Sequence, residues 1–107
     1  MEISNEQIAT TKEQSNKLIE LGLSLDTADM YYFDYDVNTY LTSMDEEFER
    51  HTDTHAWSLS ALLELLPSAT LDSSNDHHFR LRCKEKFTKW HKNPINAAFE
   101  MVCYLLE

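Results

Sequence analysis

His51-Thr52-Asp53-Thr54-His55 sets two histidines four residues apart. On a helix that spacing turns both imidazoles toward one zinc ion, with Asp53 as an oxygen ligand. A hydrolytic zinc site also needs a third ligand and a catalytic acid of the HExxH kind, and neither stands nearby. His77-His78 would have to be brought in by the fold. The residues His51, His55 and Asp53 therefore read better as part of an acidic, solvated loop than as a metal centre.

Other chemistry is poorly supplied. Asp26, Asp29, Asp34 and Asp36 do not make a calcium loop, which needs a central glycine and a terminal glutamate at fixed positions. Asp26 and Asp29 suit the capping of a short helical turn, and Asp34 and Asp36 the wet face of a strand. Ser58 and Ser60 lack the glycine-flanked elbow of a serine nucleophile. Cys83 and Cys103 stand in no CxxC or Cys/His arrangement and read as small buried hydrophobes of a reducing compartment. With one glycine in the chain, no phosphate-cradling loop is present. No catalytic residue and no cofactor is expected.

The charge distribution is more informative. The chain carries a formal net charge of −10, but residues 1–79 hold 16 acids against three bases and residues 80–107 hold three acids against six bases. The basic residues of the second part alternate: His78, Arg80, Arg82, Lys84 and Lys86 against Phe79, Leu81, Cys83, Glu85 and Phe87. Period two predicts a strand with one basic, wet face and one apolar, buried face. Lys89, Trp90, His91 and Lys92 extend it. Arg80, Arg82, Lys84, Lys86, Lys89 and Trp90 thus combine cations with an aromatic, the set that tracks a phosphate backbone and stacks bases. The plainer reading is a solvated strand face whose cations deter edge pairing. The net charge opposes close approach to nucleic acid and favours that reading, or a protein partner.

These residues need elements to hold them. Trp57 to Pro67 predicts a core helix: Leu59, Leu62, Leu63 and Leu66 recur at i, i+3, i+4 and i+7, Ser58 suits the N-cap, Trp57 and Leu62 have staple spacing, and Pro67 ends it. An N-terminal helix has two legal starts, at Ser4 and Thr11, and ends at Gly22 in the C′ position. Residues 31–41 predict an aromatic-acidic strand, 42–55 a mobile loop or short exposed helix, and 68–76 a connection. A turn at Lys84-Glu85-Lys86 makes the basic stretch a hairpin with Phe87 to His91 as its second arm; a single long strand is the alternative, since no Asn-Gly or Asp-Gly marks the turn. Asn93-Pro94 opens a last helix with a wide apolar face of Ile95, Ala98, Phe99, Val102, Leu105 and Leu106, its polar strip confined mainly to Asn96, Glu100 and Glu107.

The 107 residues suit one domain, with residues 1–10 prone to fray. Few glycines and prolines together with mixed periodicity predict an α+β fold: about three helices and a small antiparallel sheet, including a C-terminal-half hairpin followed by the last helix. No apolar run approaches the roughly 20 residues that span a bilayer, and the first residues lack the features of a signal peptide. A cytoplasmic location is expected.

Three stretches together resemble a known family: Glu13-Gln14-Ser15 leading to Glu20-Leu21-Gly22-Leu23 and Thr27-Ala28-Asp29-Met30; Trp57 to Pro67; and Asn93-Pro94 with Ala97-Ala98-Phe99-Glu100-Met101-Val102-Cys103-Tyr104-Leu105-Leu106-Glu107. The chain resembles a family of short uncharacterised proteins of anaerobic gut bacteria and their phages and mobile elements. It departs from that pattern between Asn38 and His55. The resemblance implies a small intracellular domain, supplied by a bacterium, phage or mobile element, and carries no activity with it. From the residues, the first expectation is a non-catalytic protein-interaction module with an unknown protein partner, or a homodimer through the wide face of the last helix. A nucleic-acid-associated protein using residues 78–92 comes second, and a metal-dependent enzyme third.

Overall fold

The computed structural model describes residues 7–35, 38–43, 54–66 and 68–107. Of the two legal starts to the first helix, Thr11 is used. Its hydroxyl accepts from the Gln14 N–H at 3.1 Å while the Gln14 side chain accepts from the Thr11 N–H at 3.0 Å, a complete capping box that opens α1 (Lys12–Glu20). Gly22 closes it at φ +97°, with Leu23 N–H on the Leu18 carbonyl and Gly22 N–H on the Ile19 carbonyl, both at 3.0 Å. This is the Schellman arrangement that the glycine predicts. Residues 9 and 10, within the stretch read as prone to fray, are tied down: Ala9 bridges to Ser58, and both Ala9 and Thr10 are buried.

A short 3₁₀ turn follows at Leu25–Thr27, capped by Ser24 rather than by Asp26. Asp29 leaves this turn altogether. Its carboxylate accepts from both the backbone N–H and the hydroxyl of Ser58, so its negative charge sits at the start of the second helix, where the orphan N–H groups are.

The aromatic-acidic stretch is two strands rather than one. β1 (Met30–Tyr35) and β2 (Asn38–Ser43) pair antiparallel, with Tyr35 opposite Asn38. Alternation predicts extended chain equally well on either side of a reversal, which is why a continuous strand looked adequate. Phe33 and Tyr40, directly opposed, stack at 5.4 Å. The far flank of the expected loop supplies β3 (Thr54–Ala56), which pairs with the other edge of β1. Residues 44–53, most of that loop, lie outside the described residues.

Trp57 and the leucines behave as a core element. α2 (Leu59–Glu64) starts at Ser58, whose hydroxyl accepts from Ala61 N–H, and it ends before Pro67 is reached. Leu66 is still buried, but beyond the helix. Trp57 is fully buried in one cluster with Leu62, Leu18, Leu81 and Met101, and its indole N–H donates to Thr27 Oγ1 at 2.9 Å. Trp57 and Leu62, at staple spacing, are thus both fully buried in this cluster.

Residues 68–76, read as a connection, contain β4 (Ala69–Ser73). It pairs with β5 (Phe79–Cys83), which pairs with β6 (Lys86–Phe87). The described strands thus form two antiparallel sheets, ordered β2-β1-β3 and β4-β5-β6, where one was expected. Asn93 then caps α3 (Pro94–Leu106), accepting from Ile95 N–H at 2.8 Å. The helix packs on β5 and α2, and its Ile95, Ala97, Ala98, Met101, Val102 and Cys103 are buried. The fold is α+β. Most of the wide apolar face is therefore used within the chain, with Tyr104 and Leu105 left exposed and Phe99 only partly buried.

Candidate functional site: the basic sheet face and a neighbouring cavity

Period two places Leu81 and Cys83 of β5 against α3, both buried, and turns Arg80 and Arg82 outward. The turn to β6 then changes the parity. Cys83 opposes Lys86 and Arg82 opposes Phe87, and directly opposed residues share a face. Phe87 therefore joins Arg80 and Arg82 on the outer face, and Lys86 goes to the other side, the reverse of the continuous alternation predicted. A two-residue reversal with Lys84 at φ +58° does this.

The chain continues through Thr88, whose N–H donates to Leu81 carbonyl at 3.0 Å and whose hydroxyl accepts from Leu81 N–H at 2.9 Å. His91 then exchanges two backbone hydrogen bonds with Phe79, at 2.6 and 2.7 Å. That bridge sets residue 90 beside residue 80. As a result the Arg80 guanidinium lies 4.6 Å from the ring centroid of Phe87 and 4.6 Å from that of Trp90. Asp72, opposite Arg80 on β4, takes a 3.3 Å ion pair from its Nη2. The Nε of Arg80 is buried and has no hydrogen-bond partner among the described residues. The guanidinium is thus held by the rings as well as by the carboxylate. Both rings remain open to solvent, Phe87 at 49% and Trp90 at 45%.

The predicted basic residues thus separate into two kinds. Arg80 is occupied by Asp72 and two rings. Arg82, Lys84, Lys86 and Lys89 are exposed, Lys86 on the opposite side of the sheet from Arg80.

A second feature lies along the polar strip of α3. A cavity of about 510 Å³ is lined by Gln14 of α1, His91, and Asn96, Phe99, Glu100, Cys103, Tyr104 and Glu107. Gln14 Nε2 donates to Asn96 Oδ1 at 2.7 Å, joining α1 to α3 across 82 residues of chain. His91 Nε2 lies 2.7 Å from Glu100 Oε1, which also accepts from Lys89 N–H at 3.3 Å. Burial pushes the Glu100 carboxyl up, yet hydrogen bonds from His91, Tyr104 and the Lys89 backbone together hold it below the usual carboxylate range. The bond to Glu100 raises the Tyr104 phenol, and burial raises the Cys103 thiol. A thiol shifted upward in apolar surroundings is a poor nucleophile.

The sequence shows the strip Asn96, Glu100 and Glu107 but not this cavity, since Gln14 and His91 reach it only through the fold. Spacing of four residues from Asn96 to Glu100 to Tyr104 is the one local signal for it.

Of the metal-ligand candidates, His51 and Asp53 lie outside the described residues. His55 is half-buried in β3, and burial lowers its imidazole pKa despite the charge of Asp26. Among the described residues no group of three or more His, Cys, Asp or Glu side chains is placed to hold a metal ion. Both cysteines are buried, and neither is in a disulfide. No described helix is long and apolar enough to cross a membrane. Compared with protein-family models, curated proteins and solved structures, the chain finds no match.

Proposed function

We propose that this protein is a non-catalytic interaction module whose outer β4-β5-β6 face docks an acidic, partly apolar protein surface. One observation carries the reading: an arginine fixed between two half-exposed aromatic rings. Trp, Arg and other aromatics are the residue types that dominate binding energy at protein interfaces, above all when a rigid neighbour pre-orders them. Here the Phe87-Arg80-Trp90 stack is already assembled, so binding need not order it. The exposed Arg82, Lys84 and Lys89 supply cations that complement an acidic partner and speed encounter.

Nucleic acid is the second reading, and the same geometry weighs against it. Arg80, central to the face, is paired with Asp72 and so gives less to a phosphate. A net charge of −10 repels the rest of the backbone. Together with the resemblance to small proteins of gut anaerobes, phages and mobile elements, this supports a small cytoplasmic binding domain.

The test is capture of the partner from native cells by the wild-type protein and by Trp90→Ala, followed by titration of the purified partner. Trp90→Ala is expected to weaken binding at least about 30-fold, as a central interface aromatic does. Arg82→Glu should slow association and flatten its salt dependence. Unchanged affinity in Trp90→Ala, or salt-dependent binding of a 20-mer oligonucleotide that exceeds binding to the captured protein, would contradict the proposal.

A further inference from the structure

The cavity between α1 and α3 offers a definite set of partners to a ligand. Two carboxylates, Glu100 and Glu107, and two aromatic rings, Phe99 and Tyr104, line it, and no lysine or arginine does. Lys17 acts on Cys103 from outside the lining, and His91 faces Glu100 from within it. Two of the donors are already committed. Gln14 Nε2 gives its proton to Asn96, and His91 Nε2 faces Glu100.

An anion entering this space would meet two negative charges. An apolar molecule would leave the carboxylates to be desolvated without compensation. A small metal ion would find no ligand set, since no cluster of three or more suitable donors exists among the described residues. An organic cation meets both features at once: carboxylate oxygens for its charge and ring faces for its alkyl or planar part.

We propose that the Gln14/Phe99/Glu100/Tyr104/Glu107 cavity binds an organic cation, an alkylammonium or guanidinium group, carried either by a free amine or by a lysine or arginine side chain of a peptide. The volume of about 510 Å³ lies within the range of small-molecule sites and exceeds the needs of one such group. Glu100 is held in place by His91 and Lys89, so its charge is fixed before the ligand arrives. Glu107 and Tyr104, both exposed, line the site. The site lies off the outer sheet face and does not depend on the docking proposal.

The experiment is a ¹H–¹⁵N NMR titration with two probes, n-butylammonium chloride and acetyl-Gly-Gly-Lys-Gly-Gly-amide, with sodium butyrate as the anionic control. Saturable shifts at the Gln14 and Asn96 side-chain amides are expected, with a Kd on the order of 1 mM for a ligand of five heavy atoms. Tighter binding of the peptide would assign the cation to a protein side chain, and tighter binding of butylammonium to a free amine. Tyr104→Ala and Glu107→Gln, both at exposed positions, should each weaken binding about fivefold while the rest of the spectrum stays in place. The proposal is overturned if neither cation shifts those amides at about 10 mM, ten times the expected Kd. It is also overturned if butyrate shifts them equally or if both variants bind as the wild type does.

Discussion

Thr10 and Trp57 exchange two hydrogen bonds across 47 residues of chain: Thr10 N–H donates to the Trp57 carbonyl at 2.9 Å, and Trp57 N–H donates to Thr10 Oγ1 at 3.0 Å. Both residues are fully buried, and Thr10 Oγ1 also lies 2.8 Å from Ser15 Oγ. One hydroxyl therefore ties the segment before α1, α1 itself and the lead-in to α2. Thr10→Val keeps the shape and removes that hydroxyl, leaving a buried N–H unpaired. A loss of about 1–3 kcal/mol is expected, seen as a lower denaturant midpoint with an unchanged slope, while Thr10→Ser retains most of the stability. A Val variant as stable as wild type would show that Trp57 N–H finds another acceptor.

Gly22 has open space where a Cβ would go, so only its backbone conformation, φ +97°, resists substitution. Gly22→Ala should cost about 1–2 kcal/mol and Gly22→Asn less, because asparagine tolerates the left-handed region better. Thermal melts of the pair decide it. Equal melting temperatures for Ala and Asn would mean that the strain is relieved elsewhere.

Phe99 stood among the apolar-face residues of the last helix, where loss of a core ring costs about 3–5 kcal/mol. It lines the cavity and is only partly buried, whereas Met101 is fully buried. The order of the two is therefore predicted to invert the usual size rule. Met101→Ala should destabilise by about 2–5 kcal/mol and Phe99→Ala by less. Urea titrations in which Phe99→Ala is the worse of the two would place its ring in the core after all.

Glu100 titrates below the usual carboxylate range in the folded protein, because the bonds from His91, Tyr104 and Lys89 outweigh its burial. The unfolded chain then binds a proton first as pH falls, so stability rises with pH across this window. The contribution is complete above the unfolded carboxyl pKa of about 4.3 and is lost as pH drops through the folded value. Melts from pH 3 to pH 6 should show wild type and Glu100→Gln converging toward the acid end. A gap that stays constant with pH would mean that Glu100 contributes by packing alone.

Local rules carried much of the fold. Thr11, Ser58 and Asn93 cap their helices because a short polar side chain before an apolar-periodic run has a nearby N–H to satisfy. Gly22 and the period-two pattern of Phe79–Cys83 were equally readable. What escaped was non-local or symmetric under a reversal. Nothing in Tyr31 to Leu41 distinguishes one strand from two, and Ala69–Ser73 is a strand only because β5 lies beside it. Asp29 looked like a cap for its own turn and instead binds Ser58, the cap of α2, 29 residues away. In the candidate site, the basic residues were legible by type, but the parity change at Lys84-Glu85 moved Phe87 to the outer face. Only that change makes the stack around Arg80.

The docking face is tested most directly by replacing Phe87 with a photo-reactive benzoylphenylalanine, which keeps a ring over Arg80, and irradiating the protein in extract of its native cells. Tyr40, exposed on the β1-β2 hairpin, carries the same group as a control. A discrete adduct with an acidic protein is expected from position 87, absent from position 40 and lost when Trp90→Ala is added. Adducts dominated by nucleic acid, or one pattern shared by both positions, would contradict it.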